Sequence, residues 1–236
     1  MKFNFARSKR ISVKVPVLKE EYCTTGWIIS MAIGAFCLAW PFTGIPGAEY
    51  AAGIFLIALT TILGLFAGET PKSTQQHTIL VFVVGTGLLL IAQRFDAIMD
   101  GVSFGPSLLP INNQLGLLSG LLWLIPVLTS LRLSAKFTEN IYLRSFYGAL
   151  LVLAPSLFML VSADSQLLFF WKQLAVSPKA IVIWFVGGFF FHFAGNSLGV
   201  SRGNPIATRL YFTYLGYFIV AVILRMLFYT SGDITG

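Results

Sequence analysis

RFDAIMDGVSFGPSLLPINNQ, residues 94–114, is the polar interruption around which the rest of this chain is arranged. It contains two carboxylates, Asp96 and Asp100, and lies between segments that are almost wholly apolar. Apolar runs of about 17–25 residues recur on both sides of it, which is the length that a helix needs to cross a bilayer. Charged residues make up 11% of the chain, against about 25% in soluble domains. The sequence therefore predicts an all-α, polytopic integral membrane protein.

Seven spans can be placed along the chain. They are predicted at 24–42, 51–68, 78–93, 115–131, 145–163, 180–199 and 208–229. With the N-terminus in the cytoplasm, twelve Lys and Arg residues fall on the inner side and three on the outer side, as the positive-inside rule requires. We therefore expect a protein of the cytoplasmic or inner membrane, with a basic cytoplasmic tail (1–23), a single transmembrane domain (24–236) and a C-terminus outside. Residues 97–110 form either an outer loop or a re-entrant segment covered by protein.

The distribution of charge argues against nucleic acid as a partner. The net charge is +7, but six of the sixteen basic residues lie within the first nineteen positions. A basic tail beside a membrane span meets anionic lipid head groups, so membrane lipids are the expected partners. Cys23 and Cys37 are about 21 Å apart along one predicted helix, which is beyond disulfide reach. Two cysteines and two histidines are too few for a metal cluster, and we expect no cofactor apart from a bound lipid.

Asp96 and Asp100 are the candidate catalytic residues. They are four positions apart and would share one face of a helix. Two close carboxylates sheltered from water hold different pKa values, so that one can stay protonated and donate a proton. The nearby triplet Asn112, Asn113 and Gln114 would place water or bind a substrate. The alternative for the two aspartates is a solvated outer loop in which charges happen to cluster.

His192 and Asn196 form a second polar pair, at i and i+4 inside the sixth predicted span. Ionisable residues within a span usually face the bundle interior and often mark function, which makes the pair a candidate part of a substrate-binding site. An interhelical hydrogen bond that fixes the packing explains the pair equally well. Both interpretations stay open.

Three predicted spans carry glycines four residues apart, a spacing that lets helix backbones approach closely in lipid. The pairs are Gly64/Gly68, Gly116/Gly120 and Gly195/Gly199. Because the pairs lie in three different helices, packing within the bundle is favoured over a dimer face.

Short aromatic and glycine-rich motifs recur between about residues 90 and 225. GVSFG (101–105) precedes a Leu/Gly-rich span that contains Trp123, and GALL (148–151) is followed by LFFW, which ends at Trp171, and then by a Trp-Phe pair that begins at Trp184. In these motifs the chain resembles the carotenoid-biosynthesis family of membrane proteins, which includes bacterial and archaeal carotenoid hydratases. The resemblance implies a carotenoid or isoprenoid ligand, bound in part by the three tryptophans.

The chain departs from that family at its acidic positions. Where the family carries acidic residues in the helix that begins with GALL, this chain has Ala154, Pro155 and Ser156. The resemblance therefore implies a divergent member that hydrates a polyene end group through Asp96 or Asp100, or that binds a carotenoid without catalysis. The alternative is a non-catalytic subunit of a larger, pigment-containing membrane complex with membrane-protein partners. Whether the protein is an enzyme is left open by the sequence.

Overall fold

The computed structural model describes residues 20–47, 50–66, 72–94, 120–162, 178–200 and 204–228. The seven α-helices of these residues are α1 (Glu20–Ala39), α2 (Ala51–Leu65), α3 (Lys72–Arg94), α4 (Leu121–Ser134), α5 (Ile141–Ser162), α6 (Pro178–Ser197) and α7 (Ala207–Phe228). A short 3-10 helix, Trp40–Thr43, continues α1. The described residues contain no strand, so the all-α prediction is confirmed for them.

Each helix overlaps one predicted span, and the bounds differ most at the first turns. α3 begins at Lys72, six residues before the predicted position 78, because its opening residues KSTQQH are helical but too polar to give a hydropathy signal. α1 begins at Glu20 rather than at 24. α4 covers 121–134 against a predicted 115–131, and of the preceding residues only Gly120 lies within the described part of the chain.

Five of the helices are long and apolar enough to cross a membrane, which indicates an integral membrane protein. These are α1, α3, α5, α6 and α7. α2 and α4 have 15 and 14 residues, or about 22 and 21 Å of helix, less than the hydrocarbon thickness of about 30 Å. Length and composition thus identify five of the seven predicted spans.

Contacts between side chains fix the direction of each helix relative to its neighbours, and the directions alternate along the chain. Two pairs are parallel: α1/α7, from the contacts Thr24–Arg209 and Trp27–Thr213, and α4/α6, from Trp123–Trp184 and Ser130–His192. Two pairs are antiparallel through α1 or α7: α1/α2, from Gly26–Phe66 and Gly34–Phe55, and α4/α7, from Arg132–Asn204 and Tyr214–Leu122. Two more antiparallel pairs are α3/α4, from His77–Gly195–Leu131 and Gly85–Trp123, and α5/α6, from Ser145–Asn196 and Gly148–His192.

α4 is the central helix. Eleven of its 14 residues are buried, and it packs against α2, α3, α5, α6 and α7. A helix that is apolar on all sides and enclosed by others belongs in the interior of a bundle. Its short length suits this position, because neighbouring helices cover its sides.

Trp123 is, with Trp184, one of the two largest fully buried side chains among the described residues. It stacks on Trp184 of α6, with ring centroids 4.0 Å apart. Glycines on two neighbouring helices make room for it: an added Cβ at Gly187 would lie 2.6 Å from the indole, and one at Gly85 would lie 2.8 Å from the Trp123 Cβ. The indole thus joins α3, α4 and α6.

Two glycines of the small-residue pairs pack against neighbouring helices. An added Cβ would lie 2.3 Å from the Thr86 hydroxyl oxygen at Gly120, and 2.9 Å from the His77 ring at Gly195. Gly64, in contrast, faces open space. Packing within the bundle therefore explains Gly120 and Gly195, whereas Gly199 has a positive φ and an added Cβ there would meet nothing within 4 Å.

Candidate functional site

A buried polar cluster joins four helices of the bundle. Its members are His77 of α3, Ser130 of α4, Ser145 of α5, and His192 and Asn196 of α6. The two histidines and two serines are fully buried. Polar groups that are shielded from water need hydrogen-bond partners, and here these are other members of the cluster and backbone carbonyl oxygens.

His192 is held at both ring nitrogens. Nδ1 lies 2.8 Å from the carbonyl oxygen of Gly188, and Nε2 lies 2.9 Å from Oγ of Ser130. A carbonyl oxygen can only accept, so Nδ1 carries the proton, and in a neutral imidazole Nε2 is an acceptor. The single Ser130 hydroxyl proton is shared between Nε2 and the Pro126 carbonyl of its own helix, which lies 2.5 Å from Oγ. The bond between these side chains therefore connects α4 to α6.

The backbone of α5 lies directly against the His192 ring, and Gly148 makes this approach possible. An added Cβ at Gly148 would lie 2.0 Å from Cδ2 and 2.3 Å from Cγ of the imidazole. No side chain larger than hydrogen fits at that distance unless the ring moves. The ring of His192 is thus contacted by α4 at Nε2, through Ser130, and by the backbone of α5 at Cγ and Cδ2.

His77 and Asn196 each combine a satisfied donor with an acceptor that has no partner among the described residues. His77 Nε2 donates to the carbonyl oxygen of Phe191 at 2.8 Å, and Asn196 Nδ2 donates to Ser145 Oγ at 3.1 Å. The His77 Nδ1 and Asn196 Oδ1 atoms are buried and lack a protein donor in the described part of the chain. The cluster thus keeps the capacity to accept two further hydrogen bonds.

Ser130 and His192 have the local geometry of a nucleophile and its general base, with the Gly188 carbonyl as the orienting group. A nucleophilic serine must also reach the carbonyl carbon of a substrate. Both side chains have 0% exposure, and the α5 backbone at Gly148 covers the ring. This arrangement supports the packing interpretation of His192 and Asn196.

A groove with a volume of about 650 Å³ lies between α1 and α7. It runs from Trp27 to Phe42 along α1 and its 3-10 extension, and from Phe212 to Leu224 along α7. Its lining is almost entirely apolar. Gly216 lies in its floor, and an added Cβ there would meet nothing within 4 Å. We call this feature the α1–α7 groove.

The structure separates the residues that the sequence singles out. Trp123 and Trp184 stack in the core, where they are 0% and 2% exposed, and neither lines the α1–α7 groove. His192 and Asn196 belong to the polar cluster. The other candidates lie outside the described residues, and they are Asp96, Asp100, Asn112, Asn113, Gln114 and Trp171.

Sequence reasoning missed three members of the polar cluster, which are His77, Ser130 and Ser145. His77 precedes the predicted third span, because the polar residues around it lower the local hydropathy. A signal was available, since His77 is the other of only two histidines in a chain that is 56% hydrophobic. Ser130 carries no such signal, because a single serine in an apolar helix is common.

Metal ligands and cysteine pairs are not brought together in the described part of the chain. No group of three or more His, Cys, Asp or Glu side chains there could hold a metal ion. Cys23 and Cys37 are both free and buried.

No protein-family model, curated protein or solved structure matches this chain.

Proposed function

We propose that this protein binds a long, apolar isoprenoid or polyene lipid in the α1–α7 groove. The observation that carries the proposal is the groove itself, about 650 Å³ in volume and lined almost wholly by apolar side chains. Its rim is formed by exposed apolar residues, among them Met31, Phe42 and Phe212, so a ligand can enter sideways from the membrane. The resemblance to the carotenoid-biosynthesis family supports the same class of ligand.

The proposal includes the finer topology, with seven spans, a cytoplasmic N-terminus and an outer C-terminus. The alternating helix directions support it, because seven helices that alternate cross an odd number of times. The parallel pair α1/α7 places the first turns of these two helices on the same side. The basic residues of the segments between spans favour the cytoplasm for that side.

Catalysis is a further part of the proposal and depends on Asp96 and Asp100. Either carboxyl group would protonate an end-group double bond of the bound polyene. Water placed by the Asn112–Gln114 triplet would then add to the resulting cation and return one proton to the carboxylate, which gives the alcohol and the original acid. The support for this step is the pairing of two carboxylates four positions apart in an otherwise apolar chain.

The binding proposal is tested by filling the groove. In Gly216→Leu the added side chain enters open space, so the fold is retained while the groove is blocked. The protein is purified in mild detergent, and the extracted lipids are quantified by mass spectrometry and by absorbance. The wild-type protein should retain one lipid well above its abundance in the membrane, and the variant should retain about tenfold less, as a loss of about 1.4 kcal/mol gives.

Gly87→Leu is the matched control, because Gly87 of α3 also faces open space and does not line the groove. It should retain as much lipid as the wild-type protein. Equal retention by Gly216→Leu and Gly87→Leu, or no enriched lipid in the wild-type protein, contradicts the proposal.

A second candidate function is that of a structural subunit in a larger membrane complex. The observation that favours it is an exposed aromatic face on α5 and α6. Tyr142, which is 64% exposed, stacks on Phe193, and Phe146 packs edge-on against Phe185. Aromatic residues are enriched at protein–protein interfaces, so this face suits a partner helix.

Gel filtration with mass determination distinguishes the two functions. A stoichiometric partner that is lost in Phe146→Ser but kept in Ile79→Ser supports the subunit. Ile79 is the matched control because it is an exposed residue of α3, away from the aromatic face. A particle of one chain with bound lipid contradicts the subunit and agrees with the binding function.

A further inference from the structure

Two helices of the bundle contain a proline in their interior, Pro126 in α4 and Pro155 in α5. Proline has no backbone N–H, so the carbonyl oxygen four residues earlier loses the donor that a helix normally supplies. The carbonyls that lose their donor in this way are those of Leu122 and Leu151. Each of the two helices therefore has a break in its hydrogen-bond ladder, and a helix bends most easily at such a break.

Both of these carbonyls are bonded by tyrosines of α7. The Tyr211 hydroxyl donates to the Leu151 carbonyl oxygen at 2.8 Å, and the Tyr214 hydroxyl donates to the Leu122 carbonyl oxygen at 3.4 Å. The two tyrosines are three positions apart and share one face of α7, where they are 2% and 1% exposed. A backbone carbonyl that cannot reach water needs a donor from a neighbouring helix. One face of α7 thus supplies the donors that the prolines of α4 and α5 remove.

We infer that α7 is a conformational latch, in which the Tyr211 and Tyr214 hydroxyls hold α5 and α4 closed at the breaks that Pro155 and Pro126 make. Each break is a hinge, and the loss of its tyrosine bond lets the helix open there. The inference goes beyond the proposed lipid binding and does not depend on it, because neither tyrosine lines the α1–α7 groove.

The bond to α5 also holds the polar cluster together. The part of α5 before the break carries Ser145 and Gly148, the two positions that contact the polar side chains of α6. Opening of the helix at Pro155 moves these positions relative to α6. The Tyr211 bond therefore keeps the contacts between α5 and the polar cluster in place.

Amide hydrogen exchange of the full-length protein in mild detergent, resolved by mass spectrometry, tests the latch. Tyr211→Phe keeps the ring and removes the hydroxyl. It should speed exchange of the α5 amides on both sides of Pro155 about tenfold, as a loss of about 1.4 kcal/mol gives. Pro155→Ala restores a backbone N–H four residues after Leu151, so Tyr211→Phe should have no effect on exchange in that background. Tyr214→Phe should act in the same way on α4, with a smaller increase because its bond is longer, and Pro126→Ala should cancel that increase.

Tyr217→Phe is the matched control. Tyr217 is a further buried tyrosine of α7, but its ring stacks on Phe55 of α2, so exchange in α4 and α5 should not change. Unchanged exchange of α5 in Tyr211→Phe overturns the inference, and so does an equal increase in Tyr217→Phe. An effect of Tyr211→Phe that persists in the Pro155→Ala background also overturns it, because the hydroxyl would then act through general packing and not through the carbonyl that proline leaves without a donor.

Discussion

Replacing Gly148 by alanine should destabilise the helix bundle, although alanine is the better helix former. The added Cβ would lie 2.0 Å from Cδ2 of His192, whereas carbon atoms in contact are separated by about 3.5–4.0 Å. The imidazole must therefore move by more than an ångström. Its bonds to Gly188 and Ser130 are 2.8 and 2.9 Å long, so a displacement of that size breaks at least one of them.

The magnitude follows from these two losses. Overpacking of a close contact costs about 1–3 kcal/mol, and a buried polar group left without a partner costs about 1–3 kcal/mol. The gain from glycine to alanine in a helix is about 1 kcal/mol and offsets part of this. We expect the free energy of unfolding to fall by about 1–5 kcal/mol.

Equilibrium unfolding in mixed detergent micelles, followed by tryptophan fluorescence, measures this change. Gly87→Ala is the matched control, since an added Cβ at Gly87 meets nothing within 4 Å, and it should be neutral or stabilising by up to about 1 kcal/mol. In a His192→Ala background the alanine at 148 no longer meets a ring, so Gly148→Ala should cost far less there.

The reasoning would be refuted by either of two results. One is a Gly148→Ala protein as stable as Gly87→Ala. The other is strict additivity of Gly148→Ala and His192→Ala in the double variant, since additivity means that the two positions do not interact.

Two further predictions concern the polar cluster and the proposed catalysis. Ser130→Ala should lower the free energy of unfolding by about 1–3 kcal/mol, because it leaves Nε2 of His192 buried without a donor. Ser156→Ala is the control and should have little effect, because the Ser156 hydroxyl bonds only the Val152 carbonyl of its own helix. Equal effects in the two variants would contradict the role of the Ser130–His192 bond. Replacing Asp96 and Asp100 together by asparagine should abolish hydration of a polyene, measured as product with one added water, while the protein stays folded by circular dichroism, and turnover that persists would remove both residues from the mechanism.

The sequence was sufficient for the fold class and for the approximate places of all seven helices. Long apolar runs cannot be accommodated in a soluble domain of this size, and their backbone groups are satisfied only within helices when lipid surrounds them. The helix ends were less predictable. α3 shows why, since its polar first turns KSTQQH are stabilised by packing of His77 against α6, which no hydropathy pattern records.

The candidate site was predictable only in part. His192 and Asn196 stood out because ionisable and amide side chains are rare in an apolar helix, and that signal is local to the sequence. Their partners come from other helices: Ser130 lies 62 positions from His192, and Ser145 lies 51 positions from Asn196. Which side chains meet across such separations depends on helix direction and rotation, and neither is encoded in a single run of residues.

The amino-acid sequence by itself thus determined an all-helical membrane protein with a basic N-terminal tail, because hydropathy and charge are summed over neighbouring residues. Only the tertiary structure decided that α4 is enclosed by other helices, that the ring of His192 lies directly against Gly148, and that α1 lies beside α7. The α1–α7 groove exists because α1 and α7 pack side by side, with Trp27 bonded to Thr213, 186 positions further along the chain. Long-range packing places them together, and no local property of either segment reveals it.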